Sequence, residues 1–218
     1  MEKISREQVA EAFEHGSSIR CDRGRRLKEN GYTVGRQYHI EFFVDVDDKD
    51  VKVAEAYVDE ISPKEDCLFD FLEDSVNGDY RTLAVRLGFI PYIYDYMEKE
   101  KGHFPCNKHQ RVFDKMMKTI DDCGNYIYYL RKLYVEPEYR GLGIGQTLLE
   151  DITCALSHYL CDDEIVLTLH ASPIEIDEKV EPKKHKEWKQ KLIRFYRKCG
   201  FAHVGEGTCV KVAKVEYL

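Results

Sequence analysis

Arg140-Gly141-Leu142-Gly143-Ile144-Gly145 is the stretch on which the reading of this chain turns. It joins Leu133 to Val135, which has strand character, to Gln146 through Tyr159, where apolar residues recur at helical spacing. Glycine at alternate positions lets backbone approach a ligand with no side chain between them. The first N–H groups of a helix have no partner within it, and the helix dipole adds partial positive charge there. With Arg140 alongside, the stretch is expected to seat a phosphate or pyrophosphate.

Spacing narrows the ligand. A Walker loop ends in Gly-Lys-Ser/Thr, whereas Gly145 is followed by Gln146 and Thr147. A dinucleotide fingerprint is G-x-G-x-x-G. Counted from Gly141, the third glycine falls one residue early at Gly145, and Gln146 holds the required place. No acidic residue at a strand end about 20 residues on supplies the ribose contact.

A third reading fits the spacing. Val135 through Gly145, with its core Arg140-x-x-Gly143-x-Gly145, resembles the acetyl-CoA-binding signature of the GNAT superfamily of N-acetyltransferases. Phe195-Tyr196-Arg197-Lys198-Cys199-Gly200-Phe201 is similar to that family's Phe-Tyr-x-x-x-Gly-Phe segment, which ends the last helix and opens the next strand. One glycine loop alone is a weak signal; two motifs in order, a strand and a helix apart, are a specific one. The resemblance spans roughly residues 126 to 217, with weaker support at 32 to 60. It implies an α/β fold: a central, mostly antiparallel twisted sheet flanked by helices, in a single domain over 1–218. It also implies acetyl-CoA as co-substrate and direct attack by a primary amine, borne by a small molecule, a peptide N-terminus or a protein lysine.

The same resemblance assigns roles. The pyrophosphate is expected on the N–H groups of Gly141, Leu142, Gly143, Ile144, Gly145 and Gln146, with Arg140 beside it. Leu133, Tyr134 and Val135 are expected to pair with the pantetheine arm as an added strand. A strand N–H there would stabilise the oxyanion, an effect of roughly 3 kcal/mol by analogy with other oxyanion holes. Tyr196 is the expected general acid, since a phenol of pKa near ~10 can protonate a departing thiolate of pKa near ~8.5. Some members carry a glutamate base on the strand before the glycine loop; Tyr128 and Tyr129 stand here instead. His170, at the end of the following strand, is the replacement if it faces the cleft, and base action through water is the other route. Lys189 stands where the family often has asparagine; with Lys191 and Arg194 it either meets the cofactor's 3′-phosphate or forms a solvated helix face. A catalytically silent CoA-binding module and transfer of a different acyl group are the competing functions.

Composition sets outer bounds. The chain has 218 residues, 43% hydrophobic and 33% charged, with net charge −7. That is one domain's length, and the acidic balance argues against nucleic acid as the main partner. No run approaches the ~18 apolar residues of a membrane helix, and the polar start Met1-Glu2-Lys3-Ile4-Ser5-Arg6 has no signal-peptide core. A cytoplasmic location is therefore expected, with the eight cysteines mostly free thiols. His103, Cys106, His109 and Cys123 match no standard zinc spacing, and no metal is expected.

Along the chain, residues 3 to 15 read as a helix on Ile4, Val9 and Phe13. Arg20, Arg23, Arg25, Arg26 and Lys28 form a basic patch that reads as a solvated surface or a contact for an acidic substrate or the cofactor phosphates, with a second helix expected here, ending near Asn30-Gly31. Residues 32–46 and 51–60 read as an antiparallel hairpin around Asp47-Asp48-Lys49-Asp50. Residues 62 to 123 read as a helical insertion foreign to the plain family core, with three roles open to it: substrate lid, homodimer surface or packing cap. Tyr126 to Val135 and Ile165 to Ala171 are strands. Trp188, Leu192, Phe195 and Cys199 read as the buried stripe of a late helix. Thr208 to Tyr217 reads as the strand that closes the sheet.

Overall fold

The computed structural model describes residues 4–22, 24–29, 32–61, 127–160, 164–205 and 207–214. The insertion expected at 62–123, and the histidines and cysteines within it, lie outside the described residues. The first helix, α1 (Arg6–His15), opens on a capping box: the Ser5 hydroxyl accepts from the Gln8 N–H, and the Gln8 side chain accepts from the Ser5 N–H. Strands β1 (Ser18–Cys21), β2 (Arg25–Glu29), β3 (Tyr32–Val46) and β4 (Lys49–Ile61) follow, then β5 (Ile127–Val135). A 3₁₀ turn (Pro137–Tyr139) leads into α2 (Ile144–Leu160). The chain ends with β6 (Glu164–His170), α3 (Pro182–Lys198), β7 (Ala202–Gly205) and β8 (Thr208–Lys214).

The expected mixed sheet is present. Its order is β1-β3-β4-β5-β6-β8-β7, with β2 also paired to β3, and it is antiparallel except for the β5–β6 pair. That parallel pair is joined through α2, as a parallel connection requires. The hairpin β3–β4 turns on Asp47 and Asp48 alone, both at positive φ, 53° and 62°. This two-residue geometry suits the right-handed twist of the strands.

The basic patch is not a helix. Arg20 and Arg26 lie in β1 and β2, both paired antiparallel to β3. The fifteen-residue β3 offers more edge than β4 or any one short strand can cover, and that pairing overrides local helix propensity. Arg20 also pairs with Asp50 and lies over the Phe43 ring, 4.3 Å from its centroid.

The core joins the sheet to α1 and α2. Ile40, Phe42, Ala54, Ala56, Val58, Tyr128 and Leu130 meet Val9 and the α2 stripe Ile144, Leu148, Leu149, Ile152 and Leu156. Each fully buried Leu or Ile contributes about 1.5–3 kcal/mol. This packing fixes the N-terminus of α2, and with it the glycine loop, against the end of β5.

Candidate active site

The glycine loop is held from behind. Arg6 of α1 donates from Nη1 to the Glu138 carbonyl (2.5 Å) and from Nη2 to the Arg140 carbonyl (2.8 Å). A trans peptide points its C=O and N–H in opposite directions. Pinning the Arg140 carbonyl to α1 therefore turns the Gly141 N–H away from α1. Gly141 and Gly143 sit at φ +86° and +88°, where side chains are disfavoured. A Cβ on Gly143 would meet nothing nearer than Phe13 Cε1 at 4.0 Å, so the dihedral angle demands glycine rather than the room. Gly145 differs: its Cβ would lie 3.4 Å from Phe195 Cζ and 3.5 Å from Val135 Cγ2, so glycine there lets α3 and β5 come close.

One expected member of the seat is already committed. The Gln146 N–H donates to the Gly143 carbonyl at 2.8 Å and the Thr147 N–H to the same oxygen at 3.2 Å, closing the first turn of α2. The N–H groups of Leu142, Gly143, Ile144 and Gly145 have no backbone acceptor among the described residues. Those four, with Gly141, are the donors a ligand can use.

The strands part beside this loop. β5 and β6 pair from Ile127 to Leu130 and no further. On its other edge β5 stays paired with β4, but the register slips by one residue at Arg131, which has no partner across from it. The bulged Arg131 is met by the fully buried Asp59, Nε to Oδ2 3.6 Å, and Asp59 also accepts from Gln37 Nε2 at 2.8 Å. A bulge bends and twists its strand. Here it turns Leu133, Tyr134 and Val135 away from β6.

The gap is a cavity of about 710 Å³, floored by β5 and walled by the glycine loop, the end of β6, residues 172–176 and α3. The sequence-predicted loop, strand and catalytic residues line it except Leu142, whose side chain packs on the core; Lys189, Lys191 and Arg194 do not line it. His170 does face the cleft. It is the last residue of β6, paired with Thr208, and the tight Gly207 turn (φ +100°) brings backbone against its ring.

Tyr196 also lines the cleft, but it is not the freely projecting partner of a buried Phe195. Tyr196 is buried, 8% exposed, and Phe195 is the half-buried one. The Tyr196 ring meets Phe195 and Phe201 edge-on, with centroids at 5.2 and 5.7 Å. Burial raises its phenol pKa well above the ordinary range, with the Cys209 and Cys199 thiols adding to the shift, so the hydroxyl stays protonated. The expected stripe of α3 is rotated accordingly. His185, Ile193 and Tyr196 face the core, while Trp188 is 41% exposed and lines the cleft with Leu192 and Phe195.

Arg140 is engaged by a residue the sequence did not single out. Its guanidinium forks onto Glu175, Nη2–Oε1 2.5 Å and Nη1–Oε2 3.0 Å, and its Nε donates to the Val135 carbonyl at 2.9 Å. The shared hydrogen bonds raise the arginine pKa and lower that of Glu175. The pair straps the glycine loop to the segment after β6. On the same segment, Ser172 Oγ lies 3.3 Å from Nε2 of the buried His185, which ties it to α3.

Residues 109–203 match the family model described as "Acetyltransferase (GNAT) domain". That stretch contains the glycine loop, β5, β6, α2 and α3, and so nearly the whole cleft. Over those residues the chain is similar to a GNAT acetyltransferase domain, and the match supports an acetyltransferase. Among solved structures, a mosquito arylalkylamine N-acetyltransferase (like 5b) aligns at 15% identity with TM-score 0.35, over 80% of this chain and 74% of that one. No curated protein matches the sequence. Among the described residues, no group of three or more His, Cys, Asp or Glu is placed to hold a metal ion, and no helix is long and apolar enough to cross a membrane.

Proposed function

We propose that this chain moves acetyl from acetyl-CoA to a primary amine by direct attack, as a single catalytic domain over 1–218 with residues 62–123 inserted in it. One observation carries the reading: β5 and β6 part after Leu130 and open directly onto a glycine loop whose N–H groups are without backbone acceptors. The cleft suits a long, thin, anionic ligand, with backbone donors at one end and strand edge along its floor. Acetyl-CoA supplies an activated acyl thioester. The protein's own groups do the rest.

The N–H groups from Gly141 to Gly145 hold the diphosphate. Exchanging Glu175 for phosphate would free Arg140 to join them. The open edge of Leu133, Tyr134 and Val135 receives the pantetheine amides by strand addition. A β5 N–H near the bulge polarises the thioester carbonyl and stabilises the oxyanion. The attacking amine must lose a proton, since a lysine-like amine has pKa near ~10.4. His170 at the cleft wall, directly or through water, accepts it. Tyr196, which burial makes a weaker acid than a free phenol, keeps its proton at neutral pH and gives it up only as negative charge gathers on the departing sulfur; the rings of Phe195 and Phe201 fix its aim. The free thiols of Cys199 and Cys209, both buried, suit a reducing compartment and a cytoplasmic enzyme.

An acceptor screen that follows free CoA release tests this. Release that depends on an added primary amine is the expected result. CoA released at one slow rate whatever amine is present would show a binding module without transfer, and no release beside tight CoA binding would show the same.

A further inference from the structure

The α3 wall of the cleft carries one side chain that neither the core nor the proposed chemistry uses. Trp188, the chain's single tryptophan, lines the cavity and keeps 41% of its surface exposed. An aromatic ring left open inside a cleft offers a flat apolar face to a ligand. At ~100° per residue, Lys184, Trp188, Lys191 and Phe195 fall within about 60° of one another on α3. They form one stripe. Its inner end, Phe195, touches the glycine loop at Gly145. Lys191 Nζ lies over the indole, 4.5 Å from its centroid, and Lys184, paired with Glu181 (Nζ–Oε2 3.1 Å), lines the cavity one turn before the indole. Ile174, 59% exposed, faces the same cavity from the opposite segment.

We infer that Trp188 is the stacking platform for the adenine of the donor, with Lys191 attracting its phosphates. The inference rests on the acetyl-CoA reading above. A donor whose diphosphate sits on the glycine loop has its sulfur on one side, at Tyr196, and its nucleoside on the other. Along α3 the other side is toward Trp188, about 10 Å of helix from Phe195. Charge selects the donor over the acceptor. A protonated amine would be repelled by Lys191, whereas a phosphorylated adenosine is drawn to it. Every base offers a flat face, and base–aromatic stacking is worth a fold-change of about ten or more in affinity.

Because the chain has one tryptophan, its emission reports this contact directly. Adenosine 3′,5′-bisphosphate and CoA are expected to quench Trp188 saturably, while pantetheine leaves it unchanged. Trp188→Ala is expected to raise the KM for acetyl-CoA about tenfold with kcat unchanged, and Trp188→Phe to recover most of the loss. Quenching by pantetheine equal to that by CoA would overturn the inference. So would CoA that raises the melting temperature of the unaltered protein without moving Trp188 emission. If acetyl-CoA does not stabilise the unaltered protein at all, the donor reading fails first, and thermal shift distinguishes that outcome from loss of the platform alone.

Discussion

The two walls of the cleft are built from different material. The β5 and glycine-loop wall is made of backbone: strand edge, N–H groups and two glycines at positive φ. The α3 wall is made of side chains: Trp188, Leu192, Phe195 and Tyr196. A backbone wall binds what every donor of one class shares and has no graded setting. It is lost when a dihedral is forbidden, and is indifferent to most side-chain changes. A side-chain wall can be altered one residue at a time, so it can tune rate and affinity separately.

The difference can be broken most severely at Gly143. Gly143→Val has room for a Cβ but not the conformation, a strain of about 1–3 kcal/mol if φ were kept. The loop is expected to change shape instead. Donor affinity should fall more than about a hundredfold while the protein stays folded, as read by calorimetry beside circular dichroism. A variant that acetyl-CoA still stabilises would show that the diphosphate sits elsewhere. On the opposite wall, Tyr196→Phe is expected to lower kcat about a hundredfold with the acetyl-CoA KM nearly unchanged. Equal turnover would remove Tyr196 from proton transfer. Arg6→Ala tests whether the backbone wall depends on its support: a rise of about fivefold in acetyl-CoA KM is expected at constant kcat. Arg6→Lys should restore only part of it, because an ammonium lacks the forked donors that meet two carbonyls.

The smallest effect concerns the outer edge of β5. Glu55 of β4 accepts from Lys132 of β5 (2.6 Å) and from Lys52 (2.9 Å), and these bonds hold its carboxyl down at about 2 against an ordinary 4.5. A depressed carboxyl stabilises the fold fully above its unfolded pKa and ceases to do so as pH falls through the folded one. Glu55→Gln is thus expected to cost about 1 kcal/mol at neutral pH. The difference from the unaltered protein should shrink as pH drops from 4.5 toward 2, followed by urea unfolding at several pH values. A pH-independent difference would mean that the pair contributes packing rather than charge.

The same contrast explains what could be read in advance. The backbone wall was legible because glycine spacing is a direct record of dihedral need, and Gly141 and Gly143 adopt the angles that only glycine takes readily. The β3–β4 hairpin was legible from alternation. The α3 wall was misread at Trp188, since hydrophobic periodicity marks an apolar face without saying whether protein or ligand covers it. Arg6 left no signal, because its acceptors are carbonyls 132 and 134 positions away and carbonyls have no residue code. Glu175 was hidden in the same way: its value comes from lying opposite Arg140, 35 residues off. The stretch around Arg20 to Lys28 misled because the free length of β3 decides its structure, not its own composition.

The fork from Arg6 to the loop carbonyls has a thermodynamic corollary. Whatever occupies the loop's N–H groups favours the loop shape that Arg6 also favours, so the two associations must reinforce each other by the same factor. A donor at the cleft is therefore also a ligand for the docked state of α1. Amide protons of Val9 to Phe13 should exchange more slowly when the cleft is filled, though no residue of α1 lines the cleft.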